Sequence, residues 1–419
     1  MAHDPARRVP RAVVTGRGAV TPVGLTWSET WRSLAAGVSG IRELTGVDTA
    51  ELPVRIGGEV HGFDAEHALP ARLVRRTDPS VHLALVAALE AVEDAKLDMR
   101  VTPADRVAVV LGSAGGPTKT SITATRALAE RGPARVSPFF FPASGIDSAA
   151  SEVALLLGAQ GPATCVTTAC ATGATAIGEA ARLIAVGEAD VVVAGGTDDT
   201  LTRLDIAGAA ATRALSRRND DPARACRPFD RDRDGFVMSA GAGVLVLESD
   251  EHALARGAHV HGEIAGYGAT TDAYHVTAPD PEGRPAQRAM HLALERAGLG
   301  PDAVGHISAH GTSTRLNDTT EVQAIRTVFG ARATQIPVSS IKSMTGHMLG
   351  GAGAVEAIAA VEVLETGIVP PTLNCDDPED PEMNFVAHTA QRHDVDVVMS
   401  NSFGFGGHNA VLVLRKWCG

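Results

Sequence analysis

Short apolar strands alternate with helices along the whole chain, and the alternation runs through one plan twice. In the first pass, residues 11–20 (RAVVTGRGAV) read as a buried strand. Residues 80–97 carry Leu83, Val86, Leu89 and Val92 at helical spacing, and DRVAVVLG (105–112) reads as a strand. A small-residue helix over 170–187, the strand ADVVVAGG and the strand GAGVLVLE (241–248) complete that pass. The second pass gives a strand over 261–270, a helix over 285–299, and a strand then a loop in GHISAHGTST. A helix over 317–330 opens at an Asn or Asp cap. IPVSSIKS follows as strand and loop, LGGAGAVEAIAAVEVLETG as a buried helix, and VDVVMSNSFGFGGHNAVLVLRK as two strands around a glycine turn. Two similar α/β halves predict a duplicated, layered fold. The boundary falls near 250–260, giving halves 1–255 and 256–419. The charged stretch 217–235 is expected at the surface, pinned by Phe229 and Phe236.

A chain of 419 residues suits two joined lobes or one large α/β body. The net charge of −12 argues against bulk nucleic-acid binding, which needs a basic face. The chain has only four lysines, Lys96, Lys119, Lys342 and Lys416, among 37 basic residues, so an internal Lys342 stands out. Five cysteines without a CxxC pair argue against a disulfide framework or a zinc site and fit a reducing cytosol. The charged N-terminus passes straight into a strand with no apolar core of a signal peptide. No apolar run approaches the ~18 residues that span a bilayer. A cytoplasmic protein without a membrane segment is expected.

Four segments carry chemistry. In ATCVTTACATGATAIGEA, a short strand (CVTT) runs into a turn at Ala169–Cys170, and a helix follows at once. That is a nucleophile-elbow layout, in which backbone N–H groups and the helix dipole favour a thiolate. Taken alone, Cys170 also reads as a small buried cysteine, although its place at the turn sets it apart from Cys165 inside the strand. In SAHGTSTRLND, His310 ends an apolar strand before a glycine and hydroxyls, which places it at a cleft or as a helix cap. In SSIKSMTGHMLGGAGAVEA, Lys342 and His347 share a loop and Glu356 follows in the helix, a functional turn or an ordinary polar loop. In SNSFGFGGHNA, Gly404, Gly406 and Gly407 flank Phe403 and Phe405. A strand follows, so this is not a dinucleotide loop, but such a turn can aim an N–H at an oxyanion.

Together these segments resemble the β-ketoacyl-acyl-carrier-protein synthase family, in particular its elongating type II branch. The resemblance spans the chain from VTGRGAVTPVG (14–24) through RPFDRDRDGFV (227–237) and PPTLN (370–374) to NSFGFGGHNA (401–410). It implies the duplicated thiolase fold, five-layered αβαβα, and a dimer. Cys170 would carry the acyl chain, and His310 and His347 would stabilise the enolate formed when malonyl-carrier protein loses CO₂. The N–H groups of Cys170 and Phe405 would form the other oxyanion hole. Lys342, aided by Glu356, would organise the histidines, Thr312 and Thr314 would line the malonyl side, and Phe405 would act as a gate. No cofactor or metal is implied. Two histidines, rather than one histidine and one cysteine, separate the chain from initiating synthases and thiolases.

Three departures from the family pattern stand out: Arg315 for a proline, His408 for a threonine, and Gly115 where fatty-acid members carry a bulky aliphatic gate. An absent gate at Gly115 predicts a roomier acyl tunnel, suited to long or rigid polyene and polyketide chains. The implied partners are acyl- and malonyl-loaded carrier proteins, docking on Arg72, Arg75, Arg76 and Arg213, Arg217, Arg218. The chain is expected to work as a homodimer or beside a chain-length-factor-like subunit. The competing readings are a coenzyme A-dependent thiolase-fold acyltransferase and a non-catalytic partner subunit.

Overall fold

The computed structural model describes residues 9–419, so the reading of the first eight residues lies outside it. The first half contributes β1 (Ala12–Val20), α1 (Pro79–Asp94), β2 (Val107–Gly112), α2 (Thr118–Arg131), β3 (Ala163–Thr164), α3 (Thr172–Ala185), β4 (Val191–Asp198) and β5 (Gly241–Ser249). The second contributes β6 (Gly262–Thr271), α4 (Arg284–Ala297), β7 (His306–Ser308), α5 (Arg315–Phe329), β8 (Val338–Ser339), α6 (Ala352–Thr366), β9 (Val397–Gly404) and β10 (His408–Arg415).

The two halves repeat one topology. In the first, β1 pairs antiparallel with β5 and β5 with β4, while β4, β2 and β3 run parallel. In the second, β6 pairs antiparallel with β10 and β10 with β9, while β9, β7 and β8 run parallel. The halves meet edge to edge, Ala12–Val14 of β1 against Gly262–Ile264 of β6. Helix α1 covers β1 and β5 on one outside, and α4 covers β6 and β10 on the other. Helices α3 and α6 pack on each other between the two sets of strands. This is the five-layered arrangement expected.

The central layer explains the small-residue composition of its helices. Helix α6 is apolar nearly all round, as a helix covered on every side must be. A Cβ added at Gly173 of α3 would lie 2.5 Å from the backbone N of Ala354, and one at Gly353 of α6 would lie 2.8 Å from that of Ala174. The two backbones are in contact there, so glycine is the residue the crossing tolerates.

Three local expectations fail. The CVTT segment is not a strand: β3 ends at Thr164, and Cys165 lies beyond it, half-buried, its thiol donating to the Ile146 carbonyl at 3.2 Å. The helix expected to open at Asn317 or Asp318 starts at Arg315, with Thr314 as its cap residue. Asp318 instead turns its carboxylate outward from the helix start to accept from the N–H groups of Thr312, Ser313 and Phe229. The charged loop 217–235 is not merely surface: Arg227, Asp230 and Arg233 are buried, as are Phe229 and Phe236. The strand and helix pattern also gave no sign of α2 or of the helices at Ser148–Leu157 and Arg203–Ala211.

Candidate active site

Cys170 sits one residue after Ala169, whose φ of +50° places a non-glycine residue in the left-handed region. The turn is held from both sides: the Ala171 N–H donates to Thr168 O at 3.0 Å, and the Thr168 N–H donates to the Thr172 hydroxyl at 2.8 Å. Helix α3 begins at Thr172, so its N-terminus faces the thiol. The opposite wall is the end of β9. A Cβ on Gly404 would lie 2.6 Å from Thr168 O and 3.0 Å from Cys170 N, so the strand can approach the elbow only with glycine there. That approach brings the Phe405 N–H onto the Cys170 sulfur.

His310 follows β7. Its own N–H and that of Gly311 both donate to the Glu321 carboxylate at 2.8 Å, and Asn401 donates to the same carboxylate at 3.1 Å. Glu321 is buried, and burial pushes its carboxyl up to about 7. His347 is placed by backbone: its N–H donates to Val237 O at 2.7 Å, and Ser239 N–H donates back to His347 O at 3.0 Å. The two imidazoles meet edge to face, 5.4 Å apart at 82°. Phe403 flanks His310 and Phe236 flanks His347, each edge to face.

Lys342 lies behind this pair, 1% exposed. An ammonium has three donors, and all three are used: on His310 O at 2.7 Å, on His310 Nδ1 at 3.3 Å and on the Glu356 carboxylate. Because the ammonium occupies Nδ1, the His310 proton sits on Nε2 and points into the site. Burial, then the Lys342 charge, holds both histidines well below the usual imidazole range, so both are neutral hydrogen-bond donors. Burial likewise pushes the Glu356 carboxyl up, and Lys342 pulls it back.

Cys170, His310, His347, Thr312, Thr314, Phe403 and Phe405 line one cavity of about 450 Å³. The hydroxyls of Thr312 and Thr314 lie 2.9 Å apart, and Phe405 is 39% exposed at the opening. Arg213 and Arg315 stand on the rim. Arg315 is exposed, and its carbonyl and that of Thr314 are braced by the buried Arg233. His408 packs beside Gly406 in the glycine turn. Of the other candidate docking arginines, Arg76 is paired with Glu152 and Arg218 lies near Asp234, while Arg72, Arg75 and Arg217 are exposed.

Two expectations change. Burial pushes the Cys170 thiol up to about 11, against the opposing pull of Lys342 and of the Phe405 N–H, so the enclosure of the cavity opposes the thiolate that the turn was expected to favour. Gly115 does not open a space: a Cβ there would lie 2.3 Å from Thr200 Cγ2, and Gly115 is not part of the cavity wall. Thr200 fills the volume that the glycine was expected to free.

Sequence reasoning missed Asp198. This buried carboxylate accepts from Ser113 Oγ (2.6 Å) and from the N–H groups of Ala114 (2.9 Å), Gly115 (3.0 Å) and Gly350 (2.7 Å). It ties the 113–116 loop to the turn that follows His347. Its only sequence signal is an acid at the end of an apolar strand, where a sheet's carboxyl edge collects functional groups.

A cysteine at an elbow, two histidines facing it and a lysine behind them, on a duplicated αβαβα frame, define a thiolase-fold acyltransferase. The chain belongs to the β-ketoacyl synthase family. The family's N-terminal domain (Beta-ketoacyl synthase, N-terminal domain) matches residues 10–253, and its C-terminal domain (Beta-ketoacyl synthase, C-terminal domain) matches 261–376. A 3-oxoacyl-[acyl-carrier-protein] synthase 2 of Synechocystis sp. is 48% identical over 97% of this chain and 98% of its own. Among solved structures, a type II polyketide ketosynthase, bound to its acyl-carrier protein and to a hexaketide, superposes with a TM-score of 0.91 at 33% identity, covering 98% of this chain and 100% of its own. The ishigamide ketosynthase/chain length factor gives the same TM-score at 34% identity and the same coverage.

The raised Cys170 pKa predicts a distinctive reactivity. With exposed Cys418 replaced by serine, iodoacetamide labelling of Cys170 should accelerate about tenfold per pH unit from pH 7 to beyond 9, because thiolate is the nucleophile. Peptide mass spectrometry across that range reads the rate. A plateau by pH 8 would show a resting thiolate instead.

Proposed function

We propose that the chain is an elongating β-ketoacyl-acyl-carrier-protein synthase, extending an acyl chain by two carbons in type II fatty-acid or polyketide biosynthesis. The carrying observation is the convergence of Cys170, His310 and His347 on one cavity, with Lys342 fixing the proton on His310 Nε2. Cys170 Sγ attacks the carbonyl of an acyl-carrier thioester, and the carrier leaves as a thiol with the cysteine's proton. Malonyl-carrier protein then binds. Its C–CO₂⁻ bond breaks, CO₂ departs, and the electron pair forms an enolate whose oxygen accepts from His310 and His347. The enolate carbon attacks the Cys170 thioester, and the new oxyanion accepts from the N–H groups of Cys170 and Phe405. Collapse expels the Cys170 sulfur, which takes up a proton. The first half supplies the nucleophile and the second supplies the histidines.

The neutral imidazoles favour this order of events. A neutral Nε2–H stabilises an enolate without drawing off a proton that the following attack would need back. Intact catalytic groups weigh against a non-catalytic subunit, and the paired histidines weigh against a coenzyme A-dependent thiolase-type reaction. Five free cysteines and the absence, among the described residues, of any helix able to cross a membrane support action in the cytoplasm. The exposed apolar side chains Phe139, Phe141 and Ile146 support a protein partner. That partner is a second copy or a chain-length-factor-like subunit.

Cys170→Ser should abolish condensation, since a hydroxyl is a far weaker nucleophile at neutral pH. His310→Ala and His347→Ala should each still take an acyl group onto Cys170, yet slow malonyl decarboxylation by roughly 10²–10³-fold, the usual cost of a lost oxyanion donor. Intact-protein mass spectrometry reads the first step and CO₂ release the second. Loss of acylation with decarboxylation intact would reverse the roles.

Carrier docking falls on the rim arginine Arg213 with its neighbours Arg217 and Arg218, and on Arg72, Arg75 and Arg76. Because the chain is itself acidic, the attraction is local. Arg213→Glu should raise the apparent KM for carrier-bound substrates several-fold while sparing small acyl thioesters. Equal loss with both substrate types would remove Arg213 from docking.

A further inference from the structure

Away from the cavity, two histidines and a carboxylate converge where the second half begins. His259 and His261 are two residues apart in the extended segment before β6, so their side chains share a face. Their rings lie 4.5 Å apart. Glu365, in the last turn of α6, presents one carboxylate oxygen to both: Oε1 is 2.8 Å from His261 Nδ1 and 3.2 Å from His259 Nε2. On its other side, His261 Nε2 is 3.4 Å from Asp94 Oδ2. Arg17 occupies the far oxygen of Glu365 at 2.6 Å and also pairs with Glu362 and Asp94.

We propose that His259, His261 and Glu365 bind one divalent transition-metal ion, with Zn²⁺ the best fit. His261 has a carboxylate at each ring nitrogen, and an ionised carboxylate only accepts. A neutral imidazole has one N–H, so one of the two contacts sets lone pair against lone pair unless a cation lies between. A metal ion fills that place with a second nitrogen ligand at hand, because His259 Nε2 lies 3.2 Å from the same Glu365 oxygen that faces His261 Nδ1. The three ligand atoms lie within 4.8 Å of one another, against about 3.3 Å between ligands on a tetrahedral zinc. Small ring rotations close that difference, and water takes the fourth position.

The surroundings fit a dication. Asp94, Glu362 and Glu365 gather three carboxylates around the one guanidinium of Arg17. Asp94 on His261 Nε2 is the carboxylate that a metal-bound histidine commonly carries on its other nitrogen. Two imidazoles with one carboxylate favour zinc, nickel or copper over magnesium or calcium. The ion would fasten the start of β6 to the end of α6, and through Asp94 and Arg17 to α1 and β1 of the other half. The sequence reading sought zinc in cysteine spacing and passed over a His-x-His whose third ligand lies 104 residues away.

The test is isothermal titration of ZnCl₂ into the untagged full chain at pH 7.5, with thermal melts in parallel. One Zn²⁺ per chain should bind at micromolar concentration or tighter, and saturating zinc should raise the Tm. His259 is largely exposed, with a side-chain exposure of 73%, so His259→Ala should fold normally, bind at least tenfold more weakly and lose the Tm rise. Glu365→Gln should do the same. No saturable uptake, or uptake unchanged in His259→Ala, would overturn the site.

Discussion

A single buried ammonium, that of Lys342, organises the candidate active site. Removing Lys342 from water is costly, and the structure offsets that cost with Glu356 and with two acceptors on one residue, His310. The same charge then acts outward. It adds to burial, the larger effect, in keeping both imidazoles neutral, fixes the His310 tautomer and lowers the Cys170 thiol against the stronger effect of burial. Arginine would not serve, because a planar five-donor fork cannot concentrate three hydrogen bonds around one point. In a chain that otherwise uses arginine almost throughout, lysine at this position answers a geometric demand.

The second requirement is close approach. Cys170, His310, His347 and Phe405 come from elements distant in sequence, and they reach one cavity because backbones touch. Gly173 and Gly353 let α3 and α6 meet in the central layer, and Gly404 lets β9 lie against the elbow. Asp198 adds a polar tie between the 113–116 loop and Gly350. Burial lifts its carboxyl to about 6 despite four donors, so below that pH the tie begins to lose charge.

What the sequence made legible follows from locality. Alternating apolar runs such as GAGVLVLE and VDVVMS specify strands by themselves, and a cysteine between a short extended run and a small-residue helix specifies an elbow. Features set by distant partners stayed hidden. The Gly115 argument treated a missing side chain as empty space, but Thr200, 85 residues on, occupies it. The charged loop 217–235 looked solvated because the ion partners of its arginines, the buried Asp318 and the more exposed Asp376 and Glu379, lie far along the chain. The thiolate expectation weighed the helix dipole and not the desolvation that only the packed cavity reveals.

The decisive observable is the protonation of His310 itself. Nitrogen-15 NMR of histidine-labelled protein, with the His310 signals identified by their loss in His310→Ala, reads tautomer and charge directly. Lys342 on Nδ1 requires a neutral ring with its proton on Nε2 throughout pH 6 to 8. An imidazolium in that range, or a neutral ring protonated on Nδ1, would contradict the role given to Lys342.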